Sequence, residues 1–436
     1  MLFNSLNFLI FFPTVTLLYF LLPYKLRWLL LLIASCVFYM AFIPKYILIL
    51  AFTITMDYVL GLLLEKNRGN KKYLLLSLIS NIGVLFVFKY FNFFNSSIAD
   101  IAAFFNWNYS YAALSLILPI GLSFHTFQSL SYVIEVYRGN QQAERNFGIF
   151  ALYVMFYPQL VAGPIERPQN LLHQFYERHR FELPRVSEGL RMMLWGLFKK
   201  VVIADRLAIL VNPIYNDPDG HGGFAFLVAT VFFAFQIYCD FSGYSDIARG
   251  AAKVMGFRLM LNFDRPYFSR SIAEFWKRWH ISLSSWFRDY VYIPLGGNRV
   301  KRSRWHMNLL ITFLLSGLWH GANWTFVIWG GLNGAYLVLS LLSQNLRHKL
   351  VHAFALDRLP RLHRLLQVAI TFGLICLAWV FFRANSFADA LYMIRAMCCD
   401  LNAVSFAAFI AFVRGASSFG MYNLLLSLAC IVLLLG

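Results

Sequence analysis

Met307-Asn-Leu-Leu-Ile-Thr-Phe-Leu-Leu-Ser-Gly-Leu-Trp319-His-Gly-Ala-Asn323-Trp324-Thr-Phe-Val-Ile-Trp-Gly-Gly-Leu-Asn-Gly-Ala-Tyr-Leu-Val-Leu-Ser-Leu-Leu342 consists of two apolar runs, 307–319 and 324–342, parted by Trp319-His320-Gly321-Ala322-Asn323. Basic residues flank the pair on both outer sides, with the region Arg249 to Arg304 before it and Arg347, Lys349, Arg358 and Arg361 after it. Lys and Arg favour the cytoplasmic face, so both ends belong on that side and the runs should form a hairpin that enters and leaves a membrane by one face. The first arm has thirteen residues. At ~1.5 Å per residue it reaches about 20 Å into a hydrocarbon core about 30 Å thick, which puts His320 within the membrane.

The rest of the chain has the same character. Of its 436 residues, 60% are apolar and 13% charged, and the apolar residues fall in blocks about as long as a bilayer is thick. No stretch between them is long and mixed enough for an independent core, so residues 1–436 read as a single all-α polytopic membrane domain surrounded by lipid. Spans are expected at about 2–22, 28–43, 46–64, 73–95, 112–133, 223–240, 365–382, 403–413 and 422–436. Of two further candidates, 189–211 is taken to cross, although Lys199, Lys200, Asp205 and Arg206 interrupt it. The other, 147–163, ends in Pro158, Gly163 and Pro164 and suits a segment that dips in and returns. The fold expected is about eleven transmembrane or re-entrant helices. The basic loops Lys25–Arg27 and Lys66–Lys72 place the N-terminus outside.

The formal charge of +18 sits in short clusters between spans, with no basic stripe interleaved with aromatics, so it reads as a topology signal and not as nucleic-acid binding. Six cysteines (Cys36, Cys239, Cys376, Cys398, Cys399 and Cys430) form no C-x-x-C pair, and neither a disulfide framework nor a zinc site is expected. The first block lacks a basic n-region and a small-residue cleavage site and reads as a retained span. At the other end the sequence stops inside an apolar run, so either the last helix ends at the membrane face or the chain continues.

An intramembrane histidine is costly to charge and needs polar company, which makes His320 a functional candidate. Gly321 and Ala322 should leave space around its ring, and Asn323 could orient it or bind a substrate carbonyl. The plainer reading is a histidine satisfied by a backbone carbonyl. His280 follows Glu274-Phe-Trp-Lys-Arg-Trp, where Trp276, Trp279, Leu283, Phe287 and Tyr290 recur at helical spacing. One helix over this segment would put His280 on the face of Trp276, Leu283 and Phe287, with Lys277, Arg278 and Arg288 able to meet headgroups or an anionic donor. It could equally be the polar tip of an interfacial helix. His125, Gln128, Gln159, Asp240, Ser242, Tyr244, Ser245 and Asp246 could line a water-filled path or bond one another between helices. His173, His179, His221, His306, His348, His352 and His363 are expected in loops and solvated. No phosphate loop, H-E-x-x-H, G-x-S-x-G or C-x-x-C is present. A lone imidazole base suits direct attack by a substrate hydroxyl on a thioester carbonyl, although an acyl-histidine route fits the residues too. A transporter with proton-relay histidines would show paired halves, and no internal symmetry is visible.

The run from Glu274 through His280 to Ile293-Pro-Leu-Gly-Gly-Asn-Arg299, with Gly317-Leu-Trp-His320-Gly-Ala-Asn-Trp324, resembles the membrane-bound O-acyltransferase superfamily, in particular its bacterial alginate O-acetylation branch. Pro119-Ile-Gly-Leu-Ser-Phe-His-Thr-Phe-Gln128, Pro158-Gln-Leu-Val-Ala-Gly-Pro164 and Asp240-Phe-Ser-Gly-Tyr-Ser-Asp246 look like the same branch, so the likeness covers 119–334. It implies that His320 is the catalytic histidine and His280 the second active-site position, in a helical ring around a central tunnel. On their chemistry and position, Trp276, Lys277, Arg278, Trp319, Asn323, Gln128, Asp240 and Ser242 are candidates for substrate or donor contact. The donor would be acetyl-coenzyme A or an acyl-carrier thioester, with no tightly bound cofactor. The chain would sit in a bacterial inner membrane, and the acceptor would be an extracytoplasmic polysaccharide or peptidoglycan, served by an extracytoplasmic esterase-like or acetyltransferase partner. A branch that D-alanylates teichoic acids shares the Trp-His pairings, but Ile293 to Arg299 favours acetylation. His125 stands where the alginate branch more often has an aromatic hydroxyl.

Overall fold

The computed structural model describes residues 1–415 and 420–435. Among them every regular element is helical. The chain packs into two compact units, one formed by Met1–Leu197 with Tyr244–Met260, the other by Phe198–Gly243 with Leu261–Gly436.

The first unit holds α1 (Leu6–Leu21), α2 (Tyr24–Met40), α3 (Ile47–Lys66), α4 (Lys71–Leu85), α5 (Phe91–Phe104), α6 (Leu122–Arg138), α7 (Phe147–Met155), α8 (Pro168–Leu171) and α9 (Leu183–Leu197). A π-turn over Phe86–Tyr90 joins α4 to α5 in one run of 34 residues. The span expected at 112–133 begins later, at Leu122. Pro119 disfavours helix for the residue before it, and Gly121 enters α6 in the left-handed region at φ 78°. Three helices meet at Asp57 of α3, whose carboxylate accepts from Ser77 (2.6 Å) and Asn81 (2.9 Å) of α4 and from Ser129 of α6. The polar residues of this unit therefore bond one another between helices. His125 lies 3.4 Å from the Thr53 hydroxyl. Gln128 and Gln159 both donate to the Tyr153 carbonyl, at 2.5 Å and 3.0 Å.

The second unit continues with α10 (Asp205–Asn216) and α11 (Gly223–Met255), the latter running on into the first unit, then α12 (Ile272–Arg278), α13 (Ile281–Phe287), α14 (Arg302–His320) and α15 (Trp324–Leu342). It closes with α16 (Gln344–Ala353), α17 (Pro360–Arg383), α18 (Phe387–Cys399), α19 (Ala403–Gly415) and α20 (Gly420–Leu435). Gly436, at the end of the expected last span, lies outside the described residues. Among the described residues, five helical runs are long and apolar enough to cross a membrane, six if the α18–α19 pair, bent by 119°, is one span. Others of the eleven expected coincide with helices of sixteen or seventeen residues, namely α1, α2, α6 and α20.

The expected hairpin is α14–α15. Its first arm is nineteen residues long, not thirteen, because Arg302 to His306 extend the helix below the apolar run. At ~1.5 Å per residue that is about 28 Å, close to the hydrocarbon thickness, so arm length alone does not hold His320 short of the far face. The arms touch backbone to backbone: a Cβ on Gly317 would lie 2.3 Å from the Phe326 carbonyl oxygen, and one on Gly330 2.3 Å from that of Phe313.

Candidate active site

His320 is the last residue of α14, and α15 starts four residues later. Asn323 sets that start: its side-chain oxygen accepts from the Thr325 N–H at 3.0 Å, the usual office of an N-cap. Asn323 is exposed, and its oxygen is committed to the helix instead of to His320. Gly321 does not leave room around the imidazole either. A Cβ there would lie 2.1 Å from the Phe326 ring, so the vacated volume belongs to that phenylalanine.

Three aromatic rings meet the half-buried His320 edge to face: Trp319 at 4.9 Å, Trp329 of α15 at 4.9 Å and Phe382 of α17 at 5.3 Å between centroids. Trp329 is held in turn by Trp379, stacked at 5.7 Å. Such contacts fix ring orientation.

His280 is in the same unit, and its ring lies 6.1 Å from that of Trp319, so this indole has a histidine on either side. The single amphipathic helix expected through His280 is broken there. Trp279 is extended, and His280 adopts φ 44°, ψ 55°, between α12 and α13. The turn is built from outside: the Asn262 carbonyl accepts from the Ile281 N–H (2.9 Å), and its side-chain oxygen accepts from the N–H (3.2 Å) and hydroxyl (2.9 Å) of Ser282. The ring is thereby swung inward, 1% exposed, against Phe241 at 4.5 Å and parallel to Phe263 at 6.3 Å.

Burial, and secondarily the neighbouring His320, holds His280 well below the usual imidazole range, so it stays neutral at physiological pH. Between that lowered value and about 6.5 the unfolded chain binds a proton that the folded one refuses, so stability falls as pH drops below about 6.5. The slope from this group is at most about 1.4 kcal/mol per pH unit. Unfolding midpoints of the purified protein in detergent are expected to decline from pH 7 to pH 5, and His280→Gln to flatten part of that decline. An unchanged slope in the variant would contradict the burial argument.

The remaining candidates divide. Trp276 donates through Nε1 to the Asn333 side chain at 3.3 Å, and Asn333 donates to the Trp329 carbonyl at 2.8 Å, tying α12 to α15. With Lys277, Leu283, Arg288 and Ser316, Trp276 also lines a cavity of about 340 Å³. Ser316 is one helical turn before His320, and Leu283 one turn after His280, so the cavity reaches to within a turn of each histidine. Arg278 is not on that wall; it pairs with Glu274 at 2.8 Å. Asp240 pairs with Lys200 at 2.5 Å, and Ser242 accepts from the buried Lys199 at 3.0 Å. Phe241 between them is the residue that touches His280. Gln128 belongs to the first unit. Of the histidines expected in loops, His306, His348, His352 and His363 are on helices α14, α16 and α17. His179 is buried, its ring packed on Phe257 at 4.7 Å and bonded to the Gln174 carbonyl at 3.1 Å, because Gly256 beside it has no side chain to exclude it.

Sequence reasoning passed over Asn262, Asn333, Trp329 and Phe382. Asn333 was within reach: it is a polar residue inside an apolar run, the criterion that singled out His320. Asn262 carries no such signal, since its role depends on which turn folds against it.

An imidazole fixed by aromatic rings at a helix end, with a neutral buried one across the same indole in an apolar helical protein, has the chemistry that acyl or proton transfer requires. The family model for the membrane-bound O-acyltransferase family matches residues 146–387, more than half of the chain and all of the segment that carries both histidines. The chain is 41% identical over 402 residues to a probable alginate O-acetylase AlgI of Pseudomonas aeruginosa, covering 91% of this chain and 75% of that protein. It is 35% identical over 404 residues to a peptidoglycan O-acetyltransferase of Helicobacter pylori (86% and 74% covered). A teichoic acid D-alanyltransferase of Streptococcus thermophilus is 32% identical over 240 residues, 52% of this chain and 57% of that protein. The chain belongs to the membrane-bound O-acyltransferase family, and it is a multi-pass membrane enzyme of acyl transfer.

Proposed function

We propose that the chain, set in a bacterial inner membrane, transfers an acetyl group from a cytoplasmic thioester, acetyl-coenzyme A or an acylated carrier, toward hydroxyl groups of an extracytoplasmic polysaccharide or peptidoglycan. The observation that carries the chemistry is His320, held by three rings at the end of α14 and flanked across Trp319 by the neutral His280. His320 takes the proton of the attacking hydroxyl as its oxygen bonds to the thioester carbonyl carbon. The C–S bond then breaks, and the departing sulfur recovers the proton. The cavity beside Trp276 suits the apolar arm of a thioester, with Lys277 and Arg288 on its wall meeting anionic groups of the donor. Acetate as the group moved is supported by two relatives that match most of the chain under O-acetylation names. An esterase-like extracytoplasmic partner would complete delivery to the polymer.

The test is chemical. Exported polymer from cells with the wild-type chain is expected to release acetate on mild alkali, and cells lacking the chain to release about tenfold less; release of D-alanine instead would replace the acetyl reading. In membranes, Lys277→Glu is expected to raise KM for the thioester about 5- to 30-fold, about 1–2 kcal/mol for a reversed charge at the mouth, with kcat nearly unchanged.

A further inference from the structure

A second recess of about 640 Å³ lies in the same unit, away from both histidines. Its walls are α15, α16 and α17, with the segment Arg270–Ile272 at one side. On α17 the lining residues follow one helical stripe: His363, Leu366, Gln367, Ile370 and Leu374 recur at steps of three and four. The stripe changes character along its length, polar toward the start of the helix and aliphatic toward its middle. The α15 side repeats the gradient in reverse, from Tyr336 and Leu339 to Ser343.

The polar end is cationic. Its charge comes from Arg270 and Arg347, with the side chains of His348 and His363 beside them, and among the described residues no carboxylate lines it. Arg347 is fixed there by a bond from one guanidinium nitrogen to the Ser340 carbonyl (2.6 Å), at the last turn of α15. At the other end Leu339 and Ile370 are 58% and 62% exposed, on two helices that are each long and apolar enough to cross a membrane. A groove with a guanidinium at its mouth and aliphatic walls along two spans matches a molecule with one anionic head and a long apolar tail.

We propose that this groove holds an anionic phospholipid, its phosphate between Arg347 and Arg270 and an acyl chain along Leu366, Ile370 and Leu374. The geometry separates it from the donor cavity. Ser340 borders both recesses, yet the donor cavity faces α12–α14 and this one faces α16–α17. Binding needs no acyl transfer, so it stands or falls independently of the proposed reaction and holds equally in His320→Ala protein.

The experiment uses the full chain, delipidated in neutral detergent and titrated with phosphatidylglycerol or phosphatidylcholine of matched chains, with bound lipid counted by native mass spectrometry. Phosphatidylglycerol is expected to saturate one site at concentrations about tenfold lower than phosphatidylcholine. The Arg270→Gln/Arg347→Gln double variant should lose that preference, and Arg347→Lys, which keeps the charge, should retain most of it. Ile370→Trp, a substitution at an outward-facing position, should lower occupancy by both lipids by filling the apolar end, which keeps the test open if the double variant does not fold. Equal affinity for the two lipids, an undiminished preference in the double variant or an unaltered occupancy in Ile370→Trp would each overturn the proposal. So would displacement of the lipid by acetyl-coenzyme A or inorganic phosphate at micromolar concentration, because the groove would then belong to a soluble anion.

Discussion

Replacing His320 with alanine is expected to lower acyl transfer by about 10²- to 10⁴-fold, the range spanned by a positioned general acid–base group, while the protein remains in the membrane at near wild-type abundance. The imidazole is half-buried between Trp319, Trp329 and Phe382. Its loss therefore costs some packing as well as the base, and His320→Gln separates the two by keeping side-chain volume without a titratable nitrogen. Both variants should be similarly inactive. His280→Gln should be milder, since that ring is neutral and walled by Phe241 and Phe263, which suits orienting a partner more than exchanging protons. Transfer within about tenfold of wild type in either His320 variant, with the protein present, removes the imidazole from the chemistry, because a tenfold effect equals only about 1.4 kcal/mol of barrier.

What could be read from the amino acids was the apolar period and its interruptions. The hairpin, the long helices α3, α15 and α17, the apolar first half of α11 and the position of His320 at a helix end all follow from runs of apolar residues broken by Gly, Pro or a polar turn, whereas α11 runs on to Met255, fifteen residues past the expected end at 240. Two kinds of feature could not be read. One is helix continued by charged residues: Arg302 to His306 lengthen α14 by a turn and a half, and such residues carry helix propensity that hydropathy ignores. The other is a helix broken without any breaker. Trp279-His280 contains neither Gly nor Pro, and a left-handed histidine costs about 1–2 kcal/mol. It is tolerated because Asn262, far away in sequence, supplies three hydrogen bonds to the residues that follow it. Trp276, Leu283 and Phe287 do line one cavity, but from two helices and not from one face of a single helix, and periodicity misdirects His280, whose backbone leaves the helix at that residue.

Adjacent glycines on α15 provide the sharpest test of how the site is held. Gly330→Ala is expected to destabilise the protein by about 1–3 kcal/mol and to depress transfer by about tenfold or more, whereas Gly331→Ala should be neutral or slightly stabilising. Intrinsic propensity favours alanine by nearly 1 kcal/mol at both positions, so any difference between them is tertiary. At Gly330 the added Cβ would stand 2.3 Å from the Phe313 carbonyl oxygen and about as close to the backbone of Gly317 as a tight contact allows, at 3.1 Å. Both obstacles are main chain of α14 and cannot rotate away. At Gly331 the nearest atom is the tip of Leu314 at 3.5 Å, an ordinary contact. Relief at Gly330 requires α14 and α15 to separate, and Trp329, one residue earlier, would move off the edge of His320. The activity loss should therefore exceed what reduced abundance accounts for, as judged by rate per folded molecule after size-exclusion chromatography in detergent. Equal behaviour of the two alanine variants would mean that the hairpin does not depend on this approach, and that His320 is positioned by its aromatic neighbours alone.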